Sequence, residues 1–259
     1  MKTDAPIYLS TVALDPTRWG RREPSFDVSE WLPRFEADGF DGVELWEYHY
    51  QLADPTEQAR LAAAAASISV YNSYVGFGDD EAESRAKAAE AIRQLCPTAV
   101  KYNLGGDADR VDEYRRNLLA WADILPASCR LLCECHPGTV LETLDRAVAF
   151  FADLDPARFG VIAHLAGDAA ETGAWFSAFN GRVQHLHIQM RGPQSDPTEP
   201  ANRQPFDACF DVVKGHGFKG SIAIEFSRGI GRDEDIEQIY ENVCVDMAYC
   251  RAALTEIEG

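Results

Sequence analysis

Positive charge is what this sequence has least of. Its 259 residues carry 24 Lys and Arg against 42 Asp and Glu, a formal net charge of -18. A phosphate backbone is therefore a poor partner, and no nucleic-acid partner is expected. Long apolar runs are missing too: no segment of 18 apolar residues occurs, which argues against a membrane-spanning helix, and no membrane partner is expected. The opening MKTDAPIYLSTVALDP has no apolar stretch of the signal-peptide kind, so a cytoplasmic location is expected.

The seven cysteines, at 96, 129, 133, 135, 209, 244 and 250, are odd in number and form no repeated CxxC pair. A disulfide scaffold and a four-cysteine zinc site are both disfavoured. No glycine-rich dinucleotide fingerprint follows the first apolar run, where TVALDPTRWGRR stands instead of GxGxxG. Low-complexity linkers are also lacking, so residues 1–259 are expected to form a single domain.

What is present is a regular alternation. Short apolar runs lie at 7–14, 40–47, 67–74, 99–105, 130–136, 159–165, 182–190 and 220–226, and amphipathic stretches such as VSEWLPRFEADG, EAESRAKAAEAIRQLC and VDEYRRNLLAWADIL separate them. Eight strands, each followed by a helix, must run parallel. The expected fold is a single-domain α/β chain, a closed (β/α)8 TIM barrel. An open doubly wound sheet is the alternative. The longest break, 191–205, is a candidate lid or substrate-binding loop.

Side-chain alternation then says which polar groups point inward. In strand eight Ile222, Ile224 and Phe226 form the bulky face, which belongs under helices, so Ser221, Ala223 and Glu225 face the barrel. The same logic turns Leu132, Glu134 and His136 inward and sends Cys133 and Cys135 outward as small apolar residues, although a cysteine nucleophile at 133 or 135 stays open. His164 and His187 end the inner faces of strands six and seven. Glu134, His164, His187 and Glu225 thus converge at the C-terminal end of four consecutive strands, where barrels of this kind build their chemistry. Two carboxylates and two imidazoles suit one divalent metal of borderline softness: manganese, cobalt, zinc or iron rather than magnesium.

Further inward or nearby groups are candidate substrate contacts: Glu44, Trp46 and His49, with Tyr48 beside them, then Lys101, Asn103, His136 and Arg191. Lys101 is placed either to bind an oxyanion or to pair with Glu44. The acids Asp112 and Glu113 and those of the last helix, DEDIEQIYENVCVDM, read as a solvated face. The apolar stripe Ile236, Ile239, Val243, Met247 and Cys250 of that helix is expected to dock on the barrel.

With GFDGVELWE, LLCECHPGT, FGVIAHLAG, VQHLHIQM and FKGSIAIEF in view, the chain resembles the xylose isomerase-like barrel superfamily of sugar isomerases and epimerases over nearly its whole length. In that family strands five to eight supply Glu, Asp, His and Glu to one metal. The resemblance implies these roles for Glu134, His187 and Glu225, with His164 where Asp is usual. Two more positions depart from the pattern of its ketose 3-epimerases and relatives: Gly167 replaces a His, and His187-Ile188-Gln189-Met190 replaces His-x-Lys-Asp.

The implied function is metal-dependent proton transfer beside the carbonyl of a small-molecule sugar or keto-sugar, with Glu134 and Glu225 as catalytic carboxylates. The alternatives are a metal-dependent lyase or dehydratase on a keto-sugar or oxo-glycoside, and a non-catalytic binding subunit of the same fold. Homo-oligomerisation is left open.

Overall fold

In the computed structural model, which describes residues 5–179, 181–229 and 235–255, the eight expected strands are present and close on themselves. They are β1 (Ile7–Ser10), β2 (Val43–Trp46), β3 (Ile68–Asn72), β4 (Ala99–Tyr102), β5 (Arg130–Glu134), β6 (Phe159–Leu165), β7 (Val183–Gln189) and β8 (Ser221–Phe226). Every neighbouring pair is parallel, and closure is made by β8 against β1, where Ile7, Tyr8 and Leu9 face Ile222, Ala223 and Ile224. That pairing excludes the open sheet. The chain is a single-domain (β/α)8 barrel.

The outer helices are α1 (Val28–Ala37), α2 (Tyr48–Gln51), α3 (Pro55–Ala63), α4 (Ala82–Leu95), α5 (Val111–Ile124), α6 (Leu144–Phe151), α7 (Ala169–Phe179), α8 (Pro200–Gly215) and α9 (Ile236–Thr255). Local chemistry explains their starts: Asp54 caps α3 by accepting from the amides of Thr56 and Glu57 at 2.7 and 2.9 Å, with Pro55 in the first turn. Pro200 likewise opens α8. The break expected over 191–205 is therefore shorter, ending at Glu199 and containing a 3-10 turn at Pro193–Ser195. Proline at a first helical position loses no hydrogen bond, so a Pro-rich string there reads as loop and folds as helix.

Two apolar layers result from the alternation. Tyr8, Val70, Ala99, Leu132, Ile162 and Ala223 fill the lower barrel interior. Cys133 and Cys135 sit in the separate core between barrel and helices. The thiol of Cys135 is pushed well up by its contact with Cys133 and by burial, so nothing activates it as a nucleophile. Phe226 departs from its expected outward face. The β7–β8 register shifts between Ile188 and Gln189, and the ring joins Val12 and Trp46 in a small aromatic cluster at the barrel mouth.

Helix α9 docks through Ile239, Val243, Met247 and Cys250 as its stripe requires. One of its acids is not solvated. Asp246 is fully buried, where it accepts from Ser227 Oγ and from Arg228 at 3.1 Å. Arg228 also reaches Asp196, at 3.5 Å, in the loop after β7. Burial pushes the Asp246 carboxyl up to about 7, against the pull of Ser227 and Arg228. A folded value above the ordinary one contributes stability that is complete below about pH 4 and is lost as pH rises through 7. Asp246→Asn is expected to remove this component: the variant's Tm should rise relative to wild type between pH 5 and pH 8. Parallel Tm–pH curves for the two proteins would refute it.

Candidate metal centre

The four groups predicted to converge do so. One ligand-type atom from each of Glu134, His164, His187 and Glu225 lies within 4.8 Å of all the others. His164 Nε2 is 2.8 Å from Glu134 Oε1, and His187 Nδ1 is 3.4 Å from Glu134 Oε1 and 3.3 Å from Glu225 Oε2. Glu134, His187 and Glu225 are buried, while His164 is partly open to the mouth.

His187 carries the most specific information. Its Nε2 lies 3.0 Å from Glu44 Oε2, and Glu44 is an acceptor with nothing to donate, so the ring proton belongs on Nε2. In the neutral ring the lone pair is then on Nδ1. It is buried without a hydrogen-bond partner among the described residues and faces two carboxylates. A buried unpaired nitrogen among carboxylates is costly unless a cation or a proton sits there. In the metal-free protein burial pulls His187 down, yet Glu225 and Glu44 outweigh it and hold the ring well above its ordinary value. A divalent ion satisfies the same lone pair and both carboxylates, so the donor set fits one.

Glu44, expected as a substrate contact, has a different part. It is fully buried beneath the cluster. Oε1 accepts from Ser10 and Asn72, both at 2.8 Å, and Oε2 takes His185 and His187, both at 3.0 Å. With both oxygens used, Glu44 orients His187 from below. Burial opposes ionisation, but His187 and His185 hold its carboxyl well below the usual range. Ser10 and Asn72 escaped the sequence reading. Alternation from Tyr8 and Val70, their inward neighbours two residues back, is the signal that finds them.

Lys101 pairs with Glu134 and not with Glu44. Nζ is 2.9 Å from Glu134 Oε2, and Lys101 is only 1% exposed. Register decides this: Lys101 is level with Leu132 on β5, so its long stem rises to the end of that strand. Burial works against the Glu134 carboxylate, but Lys101, His164 and His187 hold it well below its usual value. Asn103 sits beside this pair, donating to Glu134 Oε2 at 3.0 Å.

The remaining expected contacts divide. Trp46 is fully buried in the aromatic cluster. His49 is buried with both ring nitrogens engaged, by Thr11 Oγ1 and Asp15 Oδ2 at 3.0 Å each; it lines a different cavity with Phe26 and Trp31. Helix α2 begins one residue after β2, so strand alternation no longer applies to His49. His136 is exposed because β5 ends at Glu134, so strand alternation no longer applies to it. It does line a 230 Å³ cavity at the mouth, together with His164, Trp175, Gln189 and Arg191. Arg191 stacks over Phe226 at 4.1 Å.

A family model, described as xylose isomerase-like TIM barrel, matches residues 34–243. The chain belongs to the xylose isomerase-like TIM barrel family. No curated protein matches its sequence. Among solved structures it is similar to a D-psicose 3-epimerase determined with D-fructose, at 15% identity, covering 96% of this chain and 99% of that one, TM-score 0.70. It is also similar to a probable 3-DHS dehydratase, AsbF, from Bacillus anthracis, at 14% identity, 95% and 98% coverage, TM-score 0.67. A third is the IolI protein with bound zinc, at 12% identity, 98% and 99% coverage, TM-score 0.62. At these identities the likeness is one of fold.

Within this xylose isomerase-like chain the departure at Gly167 has a backbone basis. Its φ is +89°, in the left-handed region that favours glycine, and a Cβ there would lie 3.2 Å from Pro205. A histidine at 167 is thus strained by the turn into α7.

Proposed function

We propose that the protein is a divalent-metal-dependent isomerase or epimerase that moves a proton next to the carbonyl of a small sugar or keto-sugar. The observation that carries this reading is the buried Nδ1 of His187, without a hydrogen-bond partner among the described residues, between Glu134 and Glu225. Glu134, His164, His187 and Glu225 would hold the ion. When bound, it supplies Lewis acidity toward substrate oxygens, which stabilises the enediolate left after proton removal.

The chain's own residues do the rest. Glu44 holds the His187 ring in the tautomer that leaves Nδ1 free, and Lys101 offsets the charge of Glu134. The cavity bounded by His136, Trp175, Gln189 and Arg191 is the place for the polar end of a substrate. A carboxylate of the cluster takes the carbon-bound proton.

The test is incubation with a panel of ketoses and aldoses in D2O, with each of Mn2+, Co2+, Zn2+ and Mg2+. Deuterium entering the carbon beside the carbonyl is the expected result. Metal binding with no exchange in any sugar would turn the reading toward a binding subunit, and exchange accompanied by loss of water or an aglycone toward a lyase.

His164 bears on the metal. Neutral imidazole in place of a carboxylate makes the ligand set less negative by one unit and favours softer ions over magnesium. His164→Asp is expected to keep the fold, since the ring is partly exposed, and to raise activity with Mg2+ relative to Mn2+ or Zn2+. An unchanged metal series would remove His164 from the ligand set.

A further inference from the structure

Glu134 and Glu225 each turn one oxygen to the cluster, but only Glu134 has its second oxygen fully engaged. Its Oε2 meets Lys101 Nζ at 2.9 Å and the Asn103 amide at 3.0 Å. Asn103 donates also to the Glu134 carbonyl at 2.9 Å and accepts from Lys101 on Oδ1 at 2.7 Å. The three residues close a ring of hydrogen bonds. The ammonium is packed 4.2 Å from the centre of the Tyr74 ring, and Glu134 is its one ion-pair partner among the described residues. On Glu225, Oε2 accepts from Gln189 at 2.7 Å and faces His187. Its Oε1 has no hydrogen-bond partner among the described residues.

We propose that Lys101, with Asn103, is a positioning residue that fixes Glu134 as a one-oxygen ligand and removes it from proton transfer, leaving Glu225 as the single base. This rests on the proton-transfer reading above and adds to it which face of the substrate reacts. A carboxylate oxygen already accepting a charged and a neutral hydrogen bond in a buried site is a weak base, and protonating it leaves a buried ammonium without its counter-charge.

The free oxygen of Glu225 takes the proton. The C–H electron pair forms the new carbon–carbon double bond, and the carbonyl π pair moves onto oxygen. Glu225 returns the proton, on the same face, to the neighbouring carbon. The hydroxyl proton of the carbon that lost its hydrogen passes to the former carbonyl oxygen and leaves a new carbonyl on that carbon, so atoms balance without an oxidant. One base working on one face gives aldose–ketose isomerisation or, where a group leaves from the next carbon, elimination. Inversion at a stereocentre would need a second base on the opposite face.

Two measurements test the clamp and the base separately. The first uses Mn2+ alone and reads the zero-field splitting in the electron paramagnetic resonance spectrum, which follows the number and symmetry of the ligand atoms. Lys101→Met frees Glu134 Oε2 and is expected to change the splitting. Asn103→Ala, which strands no buried charge and so guards against misfolding of the first variant, should shift it in the same direction by less. Spectra identical to wild type in both variants would overturn the clamp.

The second measurement follows dihydroxyacetone in D2O with the Mn2+-loaded protein. Each of its carbons beside the carbonyl carries two hydrogens, one for each face of the enediolate. Wild type is expected to exchange one hydrogen per carbon and Lys101→Met both. Two exchanged hydrogens per carbon in wild type would overturn the single-base assignment, and one in Lys101→Met would overturn the part given to Lys101 in keeping Glu134 from acting as a base. No exchange with Mn2+ bound would sink the proton-transfer reading together with the part given to Glu225, and the Mn2+ spectra would still decide the clamp.

Discussion

Glu225→Gln is expected to cut proton exchange by about a hundred- to ten-thousand-fold, the usual contribution of a positioned base. The amide has nearly the shape of the carboxylate and can still place an oxygen toward the cluster, but it cannot take a proton. Mn2+ should therefore bind more weakly yet measurably, and saturating metal should not restore exchange. Glu134→Gln is expected to abolish exchange as well, by another route. It removes a negative ligand and leaves Lys101 buried without its counter-charge, so the variant should lose metal affinity and thermal stability together. Metal titration, exchange and Tm measured on both variants separate the two routes. Exchange within tenfold of wild type in Glu225→Gln would rule out Glu225 as the base, and with it the proposed asymmetry of the site.

The second large effect is expected below the site. Glu44 has two donors, Ser10 and Asn72, on one oxygen and two, His185 and His187, on the other. Glu44→Gln cannot satisfy all four, because whichever way the amide turns, its NH2 faces a donor. One arrangement pushes the His187 proton from Nε2 to Nδ1, the nitrogen offered to the metal; the other turns NH2 toward the Asn72 amide and takes away its acceptor, although the Ser10 hydroxyl can accept there. Metal affinity should fall by about 10- to 100-fold, as for other groups that orient a ligating histidine. Urea unfolding should show a loss of about 1–3 kcal/mol, the cost of unsatisfied buried donors. Wild-type metal affinity in this variant would mean that Glu44 does not set the tautomer.

The sequence by itself determined the architecture. Eight apolar runs joined by amphipathic stretches leave few alternatives to a parallel α/β fold, and period-two alternation was enough to turn Glu134, His164, His187 and Glu225 inward at four consecutive strand ends. That signal is local: each strand's bulky face announces its own burial without reference to any other strand. What failed did so where the local period stops. His136 lies one turn past the end of β5, Phe226 lies past a register shift, and His49 lies in a helix that starts one residue after β2 ends. Buried Asp246 was hidden among the solvated acids around it, because only the contact with Ser227 and Arg228 distinguishes it.

Tertiary structure decided which inward groups touch. Lys101 could be read as facing inward, but whether it meets Glu44 or Glu134 depends on the stagger of neighbouring strands around the barrel, a property of closure and not of any one strand. The same stagger sets Glu44 under His187 and so fixes which ring nitrogen carries the proton. Partner choice over distances of 3 Å is a long-range outcome of packing. It is also what makes two chemically identical carboxylates, Glu134 and Glu225, unequal.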